Sequence, residues 1–309
     1  MKLVTYDAGE GPVVGALVVS GILDLGAEAA RQGVDAPTSM HSLIEGGQTS
    51  LDQVRQLVDG YDPANCWNRE SVRLLSPLPR PVRFRDCCLF LEHLEKSFGL
   101  ISQKLDPQYR QQVVYYNGDN VHVFGDHDVI DWPRNSKEID YELEWAIVIG
   151  DGGADIPRER AKDHIFGYTI LNDWSARDVQ IPFMKCGLGP AAGKDFANSF
   201  GPCIVTPDEF DNPYNLEMTA CVNGKIWSQG NTASMHWSFE DAIAKLSVDR
   251  PLVPGEILGS GTVLDGCGFE LGRRLSDGDR VELTVEGIGT LTNDVRMQSA
   301  QNDDSHHEI

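Results

Sequence analysis

Two glutamates, Glu142 and Glu144, stand at the head of Asp140-Tyr141-Glu142-Leu143-Glu144-Trp145-Ala146-Ile147-Val148-Ile149, a segment whose later residues are apolar. Read as a strand, its period of two puts both carboxylates on one face, about 7 Å apart. Like charges that close and partly enclosed repel, so one takes up a proton unless a cation neutralises both. A hard, oxygen-seeking divalent ion resolves the conflict. The alternative is a solvated sheet edge, where an acid pair needs no ion. Asp173 favours the ion, because it falls where the apolar run Tyr168-Thr169-Ile170-Leu171 turns into Asn172-Asp173-Trp174-Ser175-Ala176-Arg177-Asp178-Val179-Gln180. Ends of regular elements are where binding groups collect.

A base is also within reach. In Arg85-Asp86-Cys87-Cys88-Leu89-Phe90-Leu91-Glu92-His93 the histidine follows the aspartate by seven residues, two turns if the segment is helical, and the two then share a face. A solitary histidine is more often a surface or core group, so the wider pattern has to decide.

The elements that carry these groups read mainly as strands. Tyr141 to Ile149, His164 to Leu171, Cys203 to Thr206, Glu217 to Val222 and Arg280 to Val285 have strand character, and Leu89 to Phe98 has helical apolar spacing. Val222-Asn223-Gly224-Lys225 and Glu286-Gly287-Ile288-Gly289 are hairpin signals, so a mixed sheet folded on itself is expected rather than a doubly wound parallel one. Residues 1–76 read as a small N-terminal α/β domain: short strands to about residue 24, then a helical stretch to about Gly60. Ser76-Pro77-Leu78-Pro79-Arg80-Pro81 reads as an extended linker, because proline removes backbone donors. A strand-rich catalytic domain over 77–297 follows, then a polar tail over 298–309, expected to be disordered, whose His306-His307 pair is too short to argue for a metal site.

Bulk composition narrows the function. The 309 residues carry 47 acids against 26 bases, a formal net charge of −21 that repels phosphate backbones and anionic lipid, so neither nucleic acid nor membrane is an expected partner. An anionic substrate would need a local cation in so negative a chain. Cys66, Cys87, Cys88, Cys186, Cys203, Cys221 and Cys267 form an odd, scattered set without a Cys-x-x-Cys pair, which fits reduced thiols in the cytoplasm better than a disulfide framework or a zinc site. The N-terminus lacks a signal-peptide core.

Taken together, Glu-x-Glu before an apolar strand, Asn172-Asp173-Trp174-Ser175-Ala176-Arg177-Asp178-Val179-Gln180, Gly193-Lys194-Asp195-Phe196 and Gly201-Pro202 resemble the core of the fumarylacetoacetate hydrolase superfamily. The resemblance runs from about Arg85 to Val295 and implies a β-roll catalytic domain. It implies Asp86, Glu142, Glu144 and Asp173 as ligands of a divalent cation, magnesium foremost, with calcium or manganese also suited. It implies His93 as the base and Glu270, in Gly266-Cys267-Gly268-Phe269-Glu270-Leu271, as the carboxylate that orients it. The competing role for Glu270 is a pairing with Arg273 or Arg274.

Lys194 and Gln180 are then expected to donate to an oxyanion. Arg177 is a candidate for bidentate capture of a substrate carboxylate, or else an ion pair with Asp178. Thr262, in Gly259-Ser260-Gly261-Thr262, resembles the family's carboxylate-binding turn, and either Tyr115 or Tyr116 adds a hydroxyl. Cys87-Cys88 departs from the aromatics that follow the aspartate in fumarylacetoacetate hydrolases proper, which changes the pocket. The implied reaction is hydrolysis of a carbon–carbon bond in an acylpyruvate-like or β-diketo acid, with His93 activating water and the leaving group departing as a cation-stabilised enolate. The alternative is an isomerase or tautomerase, decarboxylase or dehydratase of a 2-oxo acid using the same enolate. A homodimer is expected by the same resemblance.

Overall fold

Apolar runs without alternation belong to strands covered on both faces, and the computed structural model, which describes residues 1–297, buries every residue of Leu143–Ile149 and of Ile165–Asp173. They pair antiparallel at the centre of a 12-stranded sheet. The main path runs Cys66–Trp67, Gly21–Asp24, Pro12–Val18, Lys2–Asp7, Asn198–Val205, Ile165–Asp173, Leu143–Ile149, Glu256–Gly259, Arg83–Cys87, Tyr115–Gly118. Pairing along it is antiparallel except where Glu256–Gly259 meets Arg83–Cys87. The expected strand at 203–206 is the C-terminal half of Asn198–Val205.

A second sheet orders Lys225–Asn231, Glu217–Val222, Arg280–Val285, Gly289–Met297 and Val129–Trp132. Both expected hairpins are there. Asn223 and Gly224 adopt φ 51° and 71° between Glu217–Val222 and Lys225–Asn231, which is the double left-handed turn that Asn-Gly favours.

The two faces of the large sheet feed two cores. Leu143, Trp145, Ile147 and Ile149 pack with Phe239, Met218 and Leu283 beneath the second sheet. Ala146, Val148, Phe84, Leu171 and Phe200 pack with Leu25, Leu43 and Val54 from the helices Leu25–Gln32, Met40–Glu45 and Gly47–Asp59.

Two expectations about local structure are corrected. The proline segment at 76–81 does not run free as a linker: Ser76, Pro77 and Leu78 are buried, and the Thr5 hydroxyl donates to the Pro77 carbonyl at 2.6 Å. Leu78 gains more from the core than from water. Lys2 and Leu3, from the expected N-terminal domain, pair with Val205 and Ile204 in the large sheet. Asp86 and His93 do not share a helix face: Asp86 lies in the strand Arg83–Cys87, and the helix begins at Leu91. Pairing with Glu256–Gly259 outweighs the helical spacing of the apolar residues there. The expected tail at 298–309 lies outside the described residues.

Candidate active site

Alternation along three strands of the large sheet, Ile165–Asp173 beside Leu143–Ile149 and Arg83–Cys87 one strand further on, builds the acid cluster. Phe84, Ala146 and Leu171 point into the core beside the N-terminal helices, and two residues along each strand, on the same face, come Asp86, Glu144 and Asp173. The face therefore ends in three acids where its apolar part stops. Carboxylate oxygens of Asp86, Glu144 and Asp173 lie within 4.8 Å of one another, and all three residues are buried.

Glu142 stands beside this triad. Its carboxylate takes Lys194 Nζ at 2.5 Å and Arg177 Nη1 at 2.8 Å. Lys194 also donates to Asp173, and Tyr116 donates its hydroxyl to Asp173 at 2.7 Å. The Thr262 hydroxyl donates to Glu144 at 3.2 Å.

The electrostatics follow from burial. Burial, then the neighbouring Asp173, push Asp86 up to about 8. Burial, then Asp86 and Asp173, push Glu144 well above the usual carboxylate range. Asp173 reaches about 6, burial outweighing the Lys194 ammonium. Burial alone would push Glu142 up as well, but Lys194, Arg177 and His93 together hold it well below its ordinary range. Glu144 Oε2 and Asp173 Oδ1 are buried without a hydrogen-bond partner. Two unpartnered buried carboxylate oxygens from adjacent strands, with the Asp86 carboxylate beside them, are the chemistry of a hard divalent cation, and the donor set fits one.

His93 sits in the first turn of the helix Leu91–Leu100, buried, with Glu270 from the short helix Gly268–Leu271 packed against it. His93 Nδ1 lies 2.9 Å from Glu270 Oε2 but without the alignment of a hydrogen bond. Glu270 therefore does not pair with Arg273 or Arg274; Arg274 pairs with Glu138. Such couples are often loose without substrate and tighten in the complex.

Arg177 does not pair with Asp178. Its guanidinium is buried against Asp140, with Nη2 at 2.8 Å, and against Glu142, and it donates to Gln180 Oε1 at 3.0 Å. That bond fixes the Gln180 amide, so its NH2 end is the free donor. Asp178 accepts instead from the Ser136 hydroxyl and the Lys137 amide.

A cavity of about 220 Å³ brings most of these groups together. Asp86, His93, Tyr115, Tyr116, Glu142, Glu144, Gln180, Lys194 and Thr262 line it. Arg177 and Glu270 do not line it; Arg177 lines an adjoining cavity of about 100 Å³ that shares His93, Glu142 and Gln180 with the first. Of the two tyrosines, Tyr116 reaches the acids, while the Tyr115 ring lies under Arg85 at 5.2 Å. The amide of Gly261, in the turn expected to face an anion, donates to Asp86 at 3.2 Å.

Sequence reading missed Asp140, which accepts from the amides of Gly268 and Phe269 and so anchors the turn that delivers Glu270 to His93. Its place two residues before Glu142 was visible, but its partners come from distant segments. The apolar walls Phe90, Leu94, Phe98, Tyr109 and Val114 carried no sequence signal at all.

A mixed sheet whose strand ends gather buried acids beside a histidine and its carboxylate partner defines an enzyme-like, carboxylate-lined site. The chain belongs to the fumarylacetoacetate hydrolase family: residues 84–296 match the family model described as "Fumarylacetoacetate (FAA) hydrolase C-terminal". It is 29% identical over 267 residues to "Oxaloacetate tautomerase YisK" of Bacillus subtilis (strain 168), covering 84% of this chain and 87% of that protein. It is 30% identical over 305 residues to "Oxaloacetate tautomerase fahd2, mitochondrial" of Xenopus laevis, covering 96% and 90%. Among solved structures, the fumarylacetoacetate hydrolase EaFAH from psychrophilic Exiguobacterium antarcticum superimposes with a TM-score of 0.76 at 26% identity, over 96% of this chain and 100% of that one.

Proposed function

We propose that this chain is a divalent-cation-dependent enzyme that forms the enolate of a small 2-oxo acid, with keto–enol tautomerisation as its reaction. The observation that carries the reading is the joint presence, in one cavity, of a carboxylate triad and a histidine backed by a carboxylate. Asp86, Glu144 and Asp173 would hold the cation; Glu142 would add a fourth oxygen, since each of its oxygens keeps a lone pair beyond its bond to Lys194 or Arg177. When bound, the cation supplies Lewis acidity that lowers the cost of negative charge on the substrate's 2-oxo oxygen. Magnesium, manganese or calcium suits the oxygen-only donor set.

The chain's own residues do the proton work. His93 takes a proton from C3, the electron pair of that bond moves toward the 2-oxo oxygen, and Glu270 steadies the imidazolium. The Gln180 amide and the Lys194 ammonium donate toward the developing oxyanion. His93 then returns a proton. The relatives named as oxaloacetate tautomerases support this reading.

The second reading is hydrolysis of a carbon–carbon bond in an acylpyruvate-like acid, for which the adjoining small cavity, where His93, Ser97, Glu142, Arg177 and Gln180 stand among apolar residues, offers polar partners for a water. There His93 takes its proton from water, hydroxide adds to the distal carbonyl, the C3–C4 bond breaks toward C3, and His93 protonates the enolate carbon. Incubation in oxygen-18 water with parallel deuterium-exchange NMR tests both. Exchange at C3 without label in a product carboxylate supports tautomerisation; label in the carboxylate replaces it with hydrolysis; neither sinks enolate chemistry.

A further inference from the structure

Part of the cavity's lining is apolar: Phe90, Leu94, Phe98, Tyr109 and Val114. The Phe98 and Tyr109 rings meet edge to face at 6.1 Å, and the Trp237 indole N–H holds the Tyr109 carbonyl at 3.0 Å, so this wall is braced from behind. Burial pushes the Tyr109 phenol up to about 12, so it stays neutral and acts as wall.

The cavity's lining also includes the acids Asp86, Glu142 and Glu144, the histidine His93, and one lysine, Lys194, whose ammonium is held by Glu142 and Asp173. The arginines close to the apolar residues are engaged elsewhere: Arg177, which lines the adjoining cavity with Leu94 and Phe98, pairs with Asp140 and Glu142, and Arg110, next to Tyr109, pairs with Glu95. A substrate's first carboxylate and 2-oxo group find a cation and donors at the triad. A second carboxylate that reached the apolar lining would meet rings and methyl groups in a chain of net charge −21, and burying an unpaired carboxylate is costly.

The geometry points to a monocarboxylic 2-oxo acid whose far end is apolar or aromatic, an aroyl- or branched acylpyruvate, as the substrate class of this site, in preference to dicarboxylic 2-oxo acids. This rests on the enolate reading above and narrows it. It also separates this chain from the printed activity of the tautomerases it is similar to.

The test is a panel assayed on the full chain loaded with manganese: benzoylpyruvate and isovalerylpyruvate against oxaloacetate and fumarylpyruvate, read as C3 deuterium exchange and product formation. Melting shifts with phenylpyruvate and 2-oxoglutarate give a readout independent of turnover. The expected result is a kcat/KM for the apolar pair about 100-fold or more above that for the dicarboxylates, with a melting shift from phenylpyruvate only. Phe98→Arg, which puts a cation into the half-buried wall, should narrow that ratio by about tenfold or more, mainly through KM for the dicarboxylates. Exchange that is fastest with oxaloacetate or fumarylpyruvate overturns this inference and leaves the enolate reading standing. An unchanged ratio in a folded Phe98→Arg variant also overturns it. Exchange with none of the four compounds overturns both.

Discussion

Gly259 faces Asp86 across the parallel strand pair, and a β-carbon on Gly259 would stand 2.4 Å from Asp86 Oδ1 and 2.9 Å from Leu171 Cδ2. The missing side chain is the space in which the carboxylate sits. Gly259→Ala should therefore push Asp86 out of the triad, weakening manganese binding by about tenfold to 100-fold and lowering stability by about 1–3 kcal/mol. Titration calorimetry reads the first and denaturant unfolding the second. Gly99→Ala, on the helix Leu91–Leu100 with nothing within 4 Å of the added carbon, is the control and should be neutral or stabilising by up to about 1 kcal/mol.

The crowding of Asp86, Glu144 and Asp173 makes the sign of one substitution depend on the ion. Glu144→Gln removes a buried carboxylate that has an unpartnered oxygen, so in chelator the variant should melt higher than the parent. With excess magnesium or manganese the order should reverse, because the parent gains about 2.7 kcal/mol at a hundredfold excess over Kd while the variant gains little. Differential scanning fluorimetry with and without metal checks both halves; a variant that melts lower in chelator refutes the crowding argument.

His93→Ala should lower turnover by about 100-fold to 10,000-fold with the fold intact. Glu270→Gln should cost less, and it should shift the pH profile of kcat, because the imidazolium loses its partner while the base remains. Steady-state kinetics on a 2-oxo acid across pH separates the two roles. Equal losses with an unmoved profile would make Glu270 merely structural.

Stability at acid pH should be governed partly by Glu28, far from the site. Its buried carboxylate takes Arg31, and also Asn65, Gln32 and the Asp62 amide, which together hold it well below the usual range. A depressed acid contributes stability above its unfolded value, here near 4.5, and that contribution is lost as pH falls toward its folded value. Glu28→Gln should cost about 1–3 kcal/mol at pH 7, and the gap to the parent should shrink as pH drops below that unfolded value. Urea unfolding at pH 7 and at pH 3 measures it.

Much of the site was legible in the chain because its acids obey strand arithmetic. Glu144 two residues from Ala146, and Asp173 two residues from Leu171, are positions that a period of two assigns to one face. At Asp86 the conditional reading of one helix through to His93 failed, because Arg83–Cys87 pairs as a strand with Glu256–Gly259. Arg177 was misleading for a related reason. Its neighbour in sequence, Asp178, bonds elsewhere, and its partners Asp140 and Glu142 arrive from the segment that precedes Leu143–Ile149.

The sequence alone determined the kind of chemistry, because residue type fixes which groups can carry negative charge to a hard ion and which can move a proton, and their order along the chain marks the family. Only the tertiary structure decided which acids form the triad, that Glu270 meets His93, and that Phe90, Leu94, Phe98, Tyr109 and Val114 line the same cavity as the acids. Those depend on register, on side-chain direction and on segments brought together by packing, and no local run of residues encodes them.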